Sequence, residues 1–125
     1  MDDRYDISYI DDIAVLRVQK ALPLAEMLET LTEIAAQITA SKRMWVADDH
    51  FLFNDEEIRA IAAHSKTLWT EDSVVAYVAY DDTSFNLLRM LEIWREDEHY
   101  RIKVCNDMSS ALDWLRGWDA AAGSA

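Results

Sequence analysis

Met44-Trp45-Val46-Ala47-Asp48-Asp49 runs directly into His50-Phe51-Leu52-Phe53-Asn54-Asp55-Glu56-Glu57-Ile58. An apolar run ended by two aspartates reads as a short buried strand. Asn54 followed three residues later by Glu57 reads as a capping box, in which each side chain satisfies the other's free backbone N–H. Ile58, Ile61, Ala62, Ser65, Leu68 and Trp69 then recur at helical spacing and form a buried stripe. A strand feeding straight into a helix is the repeating unit of a parallel α/β sheet.

The same alternation extends outward. Residues 74–80 are β-branched and aromatic, which suits a strand. Asp81-Asp82-Thr83-Ser84 closes that strand and can cap a helix over 85–95. Tyr100, Ile102 and Val104 alternate with Arg101, Lys103 and Cys105, as expected of a one-sided edge strand. Asn106 or Asp107 can cap a last helix with Met108, Ala111, Leu112 and Leu115 inward. Toward the N-terminus, Pro23 suits a first helical turn. Leu24, Met27, Leu28, Leu31, Ala35 and Ile38 follow at helical spacing. Tyr5, Ile7 and Tyr9 alternate with polar residues, and residues 13–18 are nearly all apolar. Asp11-Asp12 between these runs reads as a tight hairpin turn, because Asp tolerates left-handed backbone.

The resulting order is ββαβαβαβα. It predicts an α/β domain with a mixed sheet of about five strands: an N-terminal antiparallel hairpin, then βαβαβα with right-handed crossovers. The domain is expected over 1–118, with 119–125 as a flexible tail that has little to bury.

Composition narrows the function. The chain has 125 residues, enough for one domain and too few for two. The net charge of −12 repels nucleic-acid phosphates and anionic membrane surfaces, so no nucleic-acid role is expected. A basic partner suits that charge, which also keeps a domain with five tryptophans soluble. A single cysteine, Cys105, and the lack of a signal-peptide pattern predict a reducing, cytoplasmic setting. No apolar run approaches the ~20 residues of a membrane span.

Chemistry-bearing motifs are sparse. Asp48-Asp49, Asp81-Asp82 and Asn106-Asp107 each follow a strand, so parallel strands would gather them at one sheet edge, where α/β sheets bind ligands. Clustered carboxylates there could hold Mg²⁺, with Asp48 or Asp49 as a phospho-acceptor. The competing reading is plain helix capping. His50, His64 and His99 have no zinc spacing, Cys105 has no neighbouring His, and no Gly-rich phosphate loop or Gly-x-Ser-x-Gly elbow occurs. No metal, cofactor or catalytic set is therefore assigned. Trp114 and Trp118, four apart, read as a helical pair. Phe51 and Phe53, in a loop after Asp48, could line an apolar pocket, staple the next helix, or face a partner.

Seven of the ten residues over 85–94 are apolar, more than one helical stripe requires. Phe85, Met90 and Ile93 widen the stripe, while Arg89 can pair with Glu92. Such breadth predicts a homodimer with Phe85, Met90 or Ile93 near the seam.

The block Phe-Asn-Leu-Leu-Arg-Met-Leu-Glu over 85–92 is similar to the aromatic-x-x-x-Arg-Met helix of the SpoIIAA-like family, small bacterial relatives of the STAS domain. Residues 104–115 resemble that family's closing acidic turn followed by Ala-Leu-x-Trp-Leu, and Val46-Ala47-Asp48 resembles its central strand end. The resemblance covers residues 5–114. It implies a STAS-like or lipid-transfer-like core without defined catalysis. Anti-anti-sigma factors of that fold switch by phosphorylation of a Ser or Thr after the central strand. Residues 48–59 contain neither, so no phospho-switch carries over. The expected function is a non-catalytic binding or regulatory module with an unidentified protein partner. The alternatives are a small carrier of an apolar, lipid-like ligand and a Mg²⁺-dependent phospho-acceptor.

Overall fold

The computed structural model describes residues 4–95 and 99–124, with side chains through Trp118. Nine elements follow in the order β1 (Tyr5–Ile10), β2 (Ile13–Val18), α1 (Leu24–Gln37), β3 (Lys42–Ala47), α2 (Asp55–Leu68), β4 (Ser73–Ala79), α3 (Asp82–Arg95), β5 (Tyr100–Cys105) and α4 (Met108–Ser124). The strands form one sheet in the order β1-β2-β3-β4-β5. β1 pairs antiparallel with β2, and every later pair is parallel. The expected hairpin and parallel neighbours are therefore present.

Topology sets the layers. Each parallel crossover moves one strand further in the same direction, and right-handed crossovers then place their helices on one face. α1, α2 and α3 accordingly share the front core, with Leu31, Ile34, Ile58, Ile61, Leu88 and Leu91 packed on Leu16, Val75, Tyr77 and Ile102. After β5 no strand remains to be reached, and α4 returns across the back. There Ala111 and Leu115 cover Val15, Met44, Val46, Ala76 and Val78. β3 and β4 are covered on both faces, which is why their sequences are almost continuously apolar.

Local signals explain the boundaries. Asp11 has φ 56°, the left-handed conformation the tight turn needs. Asn54 Oδ1 accepts from Glu57 N at 2.8 Å and Glu57 Oε1 accepts from Asn54 N at 2.9 Å, completing the capping box. α3 begins at Asp82 rather than Phe85, because Asp81 Oδ1 already accepts from Ser84 N. α4 is helical to Ser124, six residues beyond the expected end of the domain at Trp118. The alanines over 120–122 carry the highest helix propensity. Trp114 and Trp118 meet edge to face with centroids 6.0 Å apart.

The hairpin is tied to α1 by Arg4, whose guanidinium reaches Glu29 and Glu33 at 3.3 and 2.7 Å. Tyr5 Oη donates to Glu33 at 3.2 Å. Among the described residues, no helix is long and apolar enough to cross a membrane.

Candidate functional site

The parallel strands β2 to β5 deliver their carboxyl ends to one edge, and the three acidic motifs gather there. Asp48 is engaged by Arg17, which donates from Nε and Nη2 to its two carboxylate oxygens at 2.9 and 2.6 Å. This bidentate pair raises the Arg17 pKa. Asp49 Oδ2 accepts from Ala21 N at 3.3 Å. His50 Nδ1 sits 3.2 Å from Asp81 Oδ2, and its Nε2 lies 3.8 Å from Asp49. Hydrogen bonding from the Ser84 side chain, with His50 adding to it, holds the Asp81 carboxyl below its ordinary value. Asp107 caps α4, with Ser110 N donating at 2.7 Å and Ser110 Oγ at 3.1 Å, which lowers its pKa as well. The carboxylates are thus largely used on local donors. Among the described residues, no group of three or more His, Cys, Asp or Glu side chains is placed to hold a metal ion. Cys105 is buried on the back face, and burial pushes its thiol pKa up.

Residues 50–53 form an extended connection whose side chains alternate in and out. Phe51 and Phe53 are buried and meet edge to face at 4.9 Å, while Leu52 between them is exposed. Phe51 N donates to the buried Ser84 Oγ at 2.8 Å, which pins this loop to the first turn of α3.

Phe51 lines a cavity of about 60 Å³ between the sheet and the three front helices. Val18, Trp45, Ala47 and Tyr77 supply its sheet wall, and Leu31, Ile61, Leu88 and Leu91 its helix wall. Trp69 and Tyr100 close it at the opposite end of the sheet, with Trp45 and Trp69 edge to face at 5.6 Å. Trp45 and Ala47 face this cavity because alternate residues of a strand share a face. The volume is well below the ~150 Å³ of an apolar cavity that accepts benzene.

α3 is covered largely from within the chain. Leu88 and Leu91 are buried, and Phe85, Leu87 and Met90 are half-buried against the front core. Arg89 Nε lies 3.3 Å from Glu92. Exposed apolar surface narrows to Ile93, 75% exposed, and Trp94, whose ring carries the Arg59 guanidinium at 4.4 Å. Of the residues singled out from sequence, Phe51 lines the cavity and Phe53 packs on Phe51. Asp48 lies at the adjoining edge. Phe85 and Met90 support the core, and Arg89 and Ile93 stand on the outer face of α3.

Sequence reasoning missed a cluster at the opposite, amino end of the parallel strands. Arg43 and Arg95 are 2% and 1% exposed and flank the buried Tyr100. Arg43 donates to Ala40 O at 2.7 Å, Ser73 Oγ at 2.9 Å and Tyr100 Oη at 3.3 Å. Its guanidinium stands 4.8 Å from the Trp69 ring centre. Arg95 donates to Ser65 Oγ and Trp69 O, both at 2.8 Å, and stacks 3.3 Å over Tyr100. The signal was periodicity: Arg43 shares its strand face with Trp45 and Ala47, and Arg95 continues the Leu88–Leu91 stripe. No known family model matches this chain, and no curated protein does.

Proposed function

We propose that the chain is a non-catalytic binding module of the SpoIIAA-like, STAS-like type, which takes a small apolar ligand between its sheet and front helices. The cavity walled by Trp45, Ala47, Phe51, Tyr77 and Leu88 carries this reading. It is apolar, it is built by three different helices and the sheet, and it adjoins the one loop whose aromatics the sequence singles out. A cavity of about 60 Å³ suits a short aliphatic segment. A longer lipid-like chain would require α1–α3 to move away from the sheet. The phospho-acceptor reading has less support, because Arg17 occupies both Asp48 oxygens.

The test is a titration of the protein with propan-1-ol and butan-1-ol, read by the Trp45 indole N–H resonance. Saturable shifts are expected in the wild type and are lost in Ala47→Leu, which fills the space. A wild-type protein with no saturable response overturns the reading.

Assembly into a homodimer through α3 forms part of the proposal, supported by the exposure of Ile93 and Trp94. Sedimentation equilibrium should show a dimer at tens of micromolar that Ile93→Asp dissociates. A wild-type monomer at that concentration overturns this part.

A further inference from the structure

Of the described residues that wall the front cavity, only Phe51 and Trp69 stand outside a helix or strand. They lie toward opposite ends of the sheet and are held differently. Trp69 N donates to Ser65 O at 3.0 Å, and its carbonyl accepts from Arg95 at 2.8 Å. Its ring meets Trp45 edge to face and carries the Arg43 guanidinium. Tyr100 beside it accepts from Arg43 and lies under Arg95. That end is fixed by two buried arginines, each bonded to several groups.

The Phe51 end has no such framework. Among the described residues, no backbone–backbone hydrogen bond ties residues 49–53. Side chains hold them instead. Phe51 N donates to Ser84 Oγ at 2.8 Å, and His50 Nδ1 sits 3.2 Å from Asp81 Oδ2. Ser84 is fully buried, and its hydroxyl serves Phe51 as acceptor and the Asp81 carboxylate as donor. Both contacts therefore converge on the first turn of α3. The flanks are anchored separately: Asp49 Oδ2 accepts from Ala21 N at 3.3 Å, and Asn54 is held in the capping box of α2. Between these fixed points the chain runs extended, with Phe51 and Phe53 inward and Leu52 outward. A segment with few backbone bonds belongs to the part of a fold that opens most readily.

Resting on the binding-module reading, we infer that residues 50–53 are a strap that gates the front cavity, latched on α3 by Ser84 and Asp81. It opens at the carboxyl edge of the sheet, where α/β folds admit ligands. Asp49 and Asn54 are its fixed ends, and Phe51 and Phe53, in edge-to-face contact at 4.9 Å, move together. Exposing two phenyl rings is unfavourable, so the strap rests closed. A ligand enters when Phe51 leaves Ser84, and the ring then closes over it.

Two rates test this on labelled protein. One is hydrogen exchange of the Phe51 amide. The other is the exchange of butan-1-ol with the cavity, read by relaxation dispersion at the Trp45 indole N–H. Ser84→Ala should speed both about fivefold, the scale of one neutral hydrogen bond. His50→Ala should speed both about twofold, as befits an exposed contact. Ser73→Ala, which removes a partner of Arg43 at the other end, should change neither. If Ser84→Ala leaves the alcohol rate unchanged, or Ser73→Ala raises it as much, the strap is not the gate. Saturable shifts at Trp45 then leave the cavity reading standing. Should Ser84→Ala fail to fold, the exposed His50→Ala decides, and unchanged rates there overturn the strap. No saturable response at Trp45 to propan-1-ol or butan-1-ol overturns both readings.

Discussion

Replacing Ala47 by Leu adds bulk to a strand-end residue that lines the front cavity, in register with Val18 and Ala79. In a filled core such a change overpacks and costs about 1–3 kcal/mol. Here the added atoms enter empty apolar space. At roughly 24 cal/mol per Å³, filling all of a 60 Å³ cavity is worth up to about 1.4 kcal/mol. For a chain of this length that corresponds to a rise in Tm of about 5 °C. Ala76→Leu is the matched control. Ala76 is completely buried one strand away, but on the back face beneath α4, packed in the second core. Its substitution should lower Tm by several degrees. The assay is thermal unfolding by circular dichroism, with chemical denaturation to convert shifts into free energy. The signature is the opposite sign of two identical substitutions. If Ala47→Leu destabilises as much as Ala76→Leu, the cavity does not accept additional carbon and the basis for ligand uptake fails.

Other expectations test the remaining parts of the structure. Asn54→Ala removes half of the capping box on α2 and should cost about 0.5–2 kcal/mol by denaturant titration. Asp11→Val places a β-branched side chain at φ 56° and should cost on the order of 1–2 kcal/mol, with Asp11→Gly tolerated. Asp81 and Asp107 have folded pKa values below the ordinary 3.8, so their stabilisation is present above that pH and lost as pH falls through the lowered values. The double variant Asp81→Asn, Asp107→Asn should therefore flatten the acid limb of a stability-versus-pH curve and leave its shape near neutrality unchanged. Cys105, buried with a raised thiol pKa, should react with iodoacetamide at pH 8 far more slowly than a free thiol, and reach full reaction only in denaturant.

Much of this architecture is local chemistry and was legible in the chain itself. The capping box at Asn54, the left-handed turn at Asp11, the alternation of β5 and the stripes of α1 and α2 each depend on residues within a few positions of one another. Crossover handedness then orders the elements with no long-range information. What only the tertiary structure decided depends on residues far apart in sequence. Arg17 and Asp48 lie 31 positions apart, and their pairing determines that an acidic strand end is a closed contact rather than an open metal site. The breadth of the apolar helix α3 pointed, in sequence, to a second copy as its cover. Its packing on the front core, with α2 alongside, buries Leu88 and Leu91 and half-buries Phe85 and Met90, because three helices share one face of the sheet. For Arg43 and Arg95, charge alone predicts exposure. Strand and helix phase turned both inward around Tyr100, where a buried hydroxyl, a serine and aromatic faces accept them. The cavity itself belongs to neither a motif nor a segment. It is the space left where Trp45, Phe51, Tyr77 and Leu88, from two strands, a loop and a helix, fail to interlock completely, and side-chain packing between distant elements is the one quantity that periodicity does not encode.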